Sequence, residues 1–120
     1  MALRASAPTV AAVVAAHEEA DRIGHVLASL TTYPGFDEVV VVDDGSSDTT
    51  ADIVREVADH DERIQLIAGA GEGPAAARNL AIARTDSRYV MILDADDLAA
   101  PERMAAQVQR MELEPNIFGV

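Results

Sequence analysis

Three short stretches of the chain, His17-Glu18-Glu19, Asp43-Asp44 and Asp94-Ala95-Asp96-Asp97, concentrate acidic side chains directly after apolar, β-branched runs. Carboxylates gathered at one place oppose each other's ionisation and repel unless a cation joins them. A hard divalent ion satisfies carboxylate oxygens, and Mg²⁺ commonly takes one or two of them together with phosphate oxygens. The pattern therefore suits a metal–diphosphate complex. Simpler readings exist for each piece. An aspartate after a strand often caps the next helix, which suits Asp43 or Asp48. An acidic turn can be merely solvated, and His17 alone can be a polar loop residue.

Composition narrows the chemistry. The 120 residues are 49% hydrophobic and 25% charged, which reads as one folded domain over residues 1–120. A net charge of −12 repels nucleic acid and anionic membrane surfaces, so neither is an expected partner. The same field repels a nucleoside diphosphate unless a divalent cation sits between them. Cysteine is absent, which removes disulfides, thiol nucleophiles and thiolate metal sites. No run approaches the ~18 apolar residues of a membrane span. The expected location is cytoplasmic, including the inner face of the membrane. All nine basic residues are arginine.

The acidic groups need elements to position them. Val10 to Ala15 reads as a strand buried on both faces, and Ile23, Val26, Leu27 and Leu30 form one stripe of a helix over 21–30. Val39 to Val42 is the clearest strand, followed by a helix over 49–58 that Ser47 or Asp48 caps. Ile64 to Ile67 and Tyr89 to Leu93 are further strands, with an alanine-rich helix over 75–83 between them. A last helix starts near Pro101, with Met104, Val108 and Met111 on its core face. Four β–α units predict an α/β fold with a mostly parallel sheet and helices on both faces. Ligands in such sheets bind beyond the carboxyl ends of the strands, where the acidic stretches fall.

In order, Val13-Val14-Ala15-Ala16-His17-Glu18-Glu19-Ala20, Val40-Val41-Val42-Asp43-Asp44-Gly45-Ser46-Ser47-Asp48, Gly73-Pro74-Ala75-Ala76-Ala77-Arg78-Asn79 and Leu93-Asp94-Ala95-Asp96-Asp97 resemble the N-terminal part of family 2 glycosyltransferases. The resemblance implies a GT-A fold, Rossmann-like and shared by nucleotide-diphospho-sugar transferases. Ala15, His17 and Glu19 would line the pocket for base and ribose, His17 standing where the family often has a stacking tyrosine. Asp44 would meet the base, a uracil N–H, with Arg78 close by. Asp94 would face the ribose or assist the metal, and Asp96, the second acid of the Asp-x-Asp motif, would contact Mg²⁺ or Mn²⁺. The implied reaction is metal-dependent, inverting transfer from a UDP-sugar to an unidentified glycan, lipid or protein acceptor.

The family usually has proline at Ala15 and asparagine at Glu18, and Glu18 adds charge beside the pocket. Its acceptor site and general base follow the Asp-x-Asp motif, so the base is expected beyond residue 120. No catalytic base is assigned here, and the chain reads as truncated. The alternative is a non-catalytic nucleotide-sugar-binding fragment that covers its open surface by homo-oligomerisation.

Other readings fit less well. A receiver domain resembles this size and charge but needs a lysine, and the chain has none. Gly69-x-Gly71-x-Gly73 suggests a dinucleotide loop, yet Pro74 takes the place of the third glycine of that fingerprint. An EF-hand over 43–56 fails because Gly45 is misplaced.

Overall fold

In the computed structural model, which describes residues 8–32, 35–95, 101–114, 116 and 119, each apolar run becomes a strand of one parallel sheet. The strands β1 (Val10–Ala16), β2 (Glu38–Asp43), β3 (Ile64–Ala68) and β4 (Tyr89–Asp94) lie in the order β3-β2-β1-β4. Their registers pair Ala16 with Asp43, Asp43 with Ala68, and Ala15 with Asp94. The carboxyl ends of all four strands are therefore level, and the acidic stretches share one edge as the sequence predicted.

Burial explains the sequence pattern. Val10 to Val14 of β1 and Val39 to Val42 of β2 are buried, so the central strands are continuously apolar. The edge strands are less so. In β4, Met91 and Leu93 are buried whereas Ile92 is 45% exposed.

Four helices follow the strands: α1 (Ile23–Thr31), α2 (Thr50–Ala58), α3 (Pro74–Ile82) and α4 (Pro101–Leu113). The predicted stripe of Ile23, Val26, Leu27 and Leu30 is the buried face of α1. That helix begins at Ile23, later than predicted, because the amides of Arg22 and Ile23 turn back onto the Glu19 carbonyl. One sheet face packs against α1 and α2, with Met104 and Val108 of α4 at its margin. The other face packs against Ala77 and Ala81 of α3, whose missing side-chain bulk lets that helix lie close to Val13, Val40 and Val42. Helices thus cover both faces.

Met111 departs from the expected core role. It is half-buried and lines an open groove of about 510 Å³ between β4 and α4, with Tyr89, Met91 and Val108. Among the described residues no strand pairs with the outer edge of β4.

At the opposite end of the sheet, Arg63 ties the α1–β2 connection to β3. Its Nη2 donates to the Thr31 carbonyl at 2.9 Å, and Nη1 donates to that of Phe36 at 3.3 Å. The first satisfies a carbonyl that the end of α1 leaves unpaired, and the second one in the connection that follows. The neighbouring Asp61 accepts from the same guanidinium at 2.7 Å, which holds its carboxyl below the ordinary value.

Candidate functional site

The level strand ends open onto a pocket of about 520 Å³ lined by the β1–α1 loop, Asp44, the 71–74 segment, Arg78 and the end of β4. Of the residues singled out in the sequence, Ala15, His17, Glu19, Asp44, Arg78 and Asp94 all line it. Asp96 and Asp97 lie outside the described residues. Glu18 does not line the pocket.

Asp44 is the centre of the site and is only 8% exposed. Its N–H donates to the Ala16 carbonyl at 2.8 Å, which continues the β1–β2 ladder. Its carboxylate accepts the Gly71 N–H on Oδ1 at 2.9 Å and the Gly73 N–H on Oδ2 at 3.0 Å. Gly71 and Gly73 adopt φ of +72° and +102°, a region costly for residues with a Cβ. A Cβ at Gly69 would come within 2.6 Å of Asp44 Oδ1. The glycine triplet, which superficially suggests a dinucleotide loop, therefore exists to wrap backbone amides around a buried carboxylate. Asp43 serves its own turn, accepting the Ser46 N–H at 3.3 Å.

The β1–α1 loop is fastened to the β2–α2 loop residue by residue. The N–H groups of Glu18, Glu19 and Ala20 donate to Ser46 Oγ at 2.8 Å, Thr50 Oγ1 at 2.9 Å and Asp48 Oδ2 at 3.3 Å. Thr50 is fully buried, and its N–H and hydroxyl both donate to Asp48 Oδ1. Those bonds hold the Asp48 carboxyl below its ordinary value. The N-cap position of α2 is Thr49, with no side-chain capping bond, so Asp48 braces the first helical residue from one position earlier than the N-cap role expected of Ser47 or Asp48. Glu18 turns away from the pocket, its carboxylate accepting from the N–H and hydroxyl of Ser47. Its backbone adopts φ of +54°, where asparagine is more at ease than glutamate.

On the opposite wall Arg78 Nη2 donates to Asp94 Oδ1 at 2.9 Å, leaving the guanidinium Nε buried without a hydrogen bond. Glu19 Oε2 is also buried, beside Arg22 Nε at 3.1 Å but with no directed hydrogen bond. The pocket thus holds two charged groups whose bonding capacity is incompletely used. Buried polar atoms of this kind are completed by water, an ion or a ligand.

Among the described residues there is no cluster of three or more groups poised to hold a metal ion. The Asp94 side chain is 59% exposed, with one oxygen committed to Arg78. One accessible carboxylate at the pocket wall fits an ion that keeps most of its shell for water and phosphate oxygens.

Sequence reasoning missed Thr50, Gly71 and Gly73. The glycines were visible as a triplet. Thr50 gave no signal, because its importance lies in contacts with residues about thirty positions away (separation 31).

Comparison with known proteins agrees with this fold. The succinoglycan biosynthesis protein ExoU of Rhizobium meliloti is 41% identical over 104 residues, covering 85% of this chain and 30% of that protein. A mannosyltransferase of Pyrobaculum calidifontis, solved with GDP-Man and Mn²⁺, superposes with a TM-score of 0.80 at 31% identity, covering 87% of this chain and 32% of that one. Residues 1–349 of S. aureus TarS, solved with UDP, superpose with a TM-score of 0.78 at 25% identity, covering 89% and 33%. The chain spans about a third of the length of each of these proteins. The family model described as Glycosyl transferase family 2 matches residues 11–120, and the chain belongs to that family.

Proposed function

We propose that this chain forms the donor-binding part of a metal-dependent glycosyltransferase that uses a nucleoside-diphospho-sugar, with UDP as the preferred nucleotide. The observation that carries the reading is the pocket at the strand ends where His17, Asp44, Arg78 and Asp94 converge. Asp44, fixed by two backbone amides, retains lone pairs that can accept an N–H from the base edge. Arg78 brings positive charge to an otherwise acidic rim, where a diphosphate needs it. Asp94 and Asp96 would hold Mg²⁺ or Mn²⁺, which when bound would neutralise charge on the diphosphate leaving group. Family membership supports transfer with inversion at the anomeric carbon, to a glycan, lipid or protein acceptor. The P. calidifontis enzyme with GDP-Man and Mn²⁺ and TarS with UDP bear on this reading by analogy.

Thermal unfolding of the 120-residue chain with UDP, GDP, CDP and TDP, each with and without Mn²⁺, tests it. A ligand at 100 times its Kd stabilises by about 2.7 kcal/mol, which moves Tm by roughly several degrees. A shift that requires both UDP and Mn²⁺ is expected. The absence of a shift with any pair refutes donor binding by this chain.

The outer edge of β4 favours a second reading, a binding fragment that self-associates. Among the described residues β4 is paired on one side only; it carries Ile92 at 45% exposure, starts beside Arg88 and ends at Asp94. Antiparallel pairing of two copies would set the arginine end of each strand against the aspartate end of the other. Light scattering at high concentration decides it, and a monomeric mass rules it out.

A further inference from the structure

We propose that His17 recognises a hydrogen-bond donor on the bound nucleoside through an unprotonated Nε2, rather than serving as a stacking platform. The inference rests on the donor-site reading above. His17 Nδ1 lies 2.9 Å from the Asp44 carbonyl oxygen. A carbonyl can only accept, so the hydrogen of that bond belongs to Nδ1. A neutral imidazole carries one N–H, which leaves Nε2 as a bare lone pair. The tautomer is set by the partner of the other nitrogen.

That partner cannot drift. The Asp44 N–H is bonded to Ala16, and both carboxylate oxygens hold the glycine loop. The backbone after His17 is equally fixed, with three successive N–H groups donated to Ser46, Thr50 and Asp48. The ring is therefore tethered by one edge on a loop held along its length, at the wall of the pocket. Among the described residues its Nε2 has no partner. An acceptor at this point is mismatched to a phosphate or carboxylate and matched to an O–H or N–H. A nucleoside offers both, in its ribose hydroxyls and its base imino group.

Two measurements test this. In ¹⁵N-labelled chain, the two-bond nitrogen–proton pattern of His17 at a pH where the ring is neutral should show the proton on Nδ1. A proton on Nε2 would overturn the inference without any ligand. Binding is then measured with Mn²⁺ and UDP, or GDP if that is the nucleotide bound, on wild type, His17→Gln, His17→Asn and His17→Phe. Glutamine can place an oxygen near the Nε2 position, whereas asparagine can reproduce only the Nδ1 donor. His17→Asn and His17→Phe should each weaken binding about tenfold, and His17→Gln by no more than about threefold.

Three analogues locate the donor: the 2′-deoxy, the 3′-deoxy and the base-N-methylated nucleotide. One of them should weaken binding to wild type about tenfold yet cost His17→Asn nothing further. Wild-type affinity in His17→Phe overturns the inference, as do analogue penalties that are equal in wild type and His17→Asn. Failure of wild type to bind any nucleotide overturns the donor-site reading, and this role for His17 with it. The ¹⁵N result still reports the tautomer in that case, so the two failures are distinguishable.

Discussion

Asp44→Asn should damage the site through its architecture before any ligand is considered. The wild-type carboxylate accepts two backbone amides at 2.9 and 3.0 Å while only 8% exposed. Hydrogen bonds to a charged group contribute about 1.5–3 kcal/mol each, and neutral ones about 1 kcal/mol. Asparagine keeps one oxygen, so one of these bonds becomes neutral. It turns an NH₂ toward the other amide, so the second bond is lost and donor faces donor. The sum is about 2–5 kcal/mol. Gly71 is exposed and Gly73 half-buried, so a freed amide can recover water, which favours the lower end, about 2 kcal/mol. For a chain of this length that is a fall in Tm of roughly 6–12 °C. Urea unfolding gives the stability, and amide hydrogen exchange locates the loss. Exchange at Gly71 and Gly73 should accelerate well beyond the global change, because the loop has lost its anchor. A variant within about 0.5 kcal/mol of wild type, with protection of both glycines unchanged, would refute the assignment of Asp44 as that anchor.

Gly69→Ala places a Cβ 2.6 Å from Asp44 Oδ1 and 3.1 Å from Val42 Cγ1, and should cost about 1–3 kcal/mol in urea unfolding by crowding the same carboxylate. Asp96→Ala should abolish the Mn²⁺-dependent part of nucleotide binding in titration calorimetry. Its stability without ligand should stay within about 0.5 kcal/mol of wild type, or rise slightly as one repelling charge disappears. Asp61 carries a pH signature. Its folded carboxyl sits below the ordinary 3.8 because Arg63 stabilises the anion. It therefore contributes stability above 3.8, which is lost as pH falls through the folded value. Asp61→Asn should cost about 1 kcal/mol at neutral pH, with the gap to wild type closing in acid, as followed by thermal scans from pH 7 to about pH 2. Glu18→Gly relieves about 1 kcal/mol of left-handed strain but gives up exposed bonds to Ser47, so stability should change little. Glu18→Val, β-branched at the same φ, should cost more than about 1 kcal/mol in the same assay.

The fold was legible in this sequence because its central strands are apolar on both faces, and only a parallel sheet covered by helices produces such runs between amphipathic segments. The register was legible at one remove. Once the strands are parallel and in phase, the residues following each run must share an edge, which is how Asp44 and Asp94 could be placed together in advance. The internal wiring of that edge was not legible. Thr50 looks like any residue in the first turn of a helix, and its role exists only because Glu19 N–H arrives from another loop. By composition and spacing the second acid of Asp43-Asp44 looks equivalent to the first, and only the family resemblance singles out Asp44. The strand pairing decides that Asp44 turns inward to the glycine loop while Asp43 closes its own turn. Met111 misleads in the opposite sense, since helical spacing gives the face of a helix but not how far along that face the sheet extends.

The strand order also dictates when the pocket can come into being as the chain folds. β2 and β3 pair over a modest stretch of sequence, and β1 joins β2 across one helix. The last side of the sheet requires β4 to return to β1, and the bond from Arg88 to Thr9 spans 79 positions. Closing that loop carries the largest loop-closure entropy of the three strand pairings, and a sheet of β1, β2 and β3 alone would have no Asp94 wall at all. A nucleotide that grips both walls would then have no purchase until β4 is in place. Ligand would slow unfolding by holding the β1–β4 seam shut, and leave the rate of folding almost untouched.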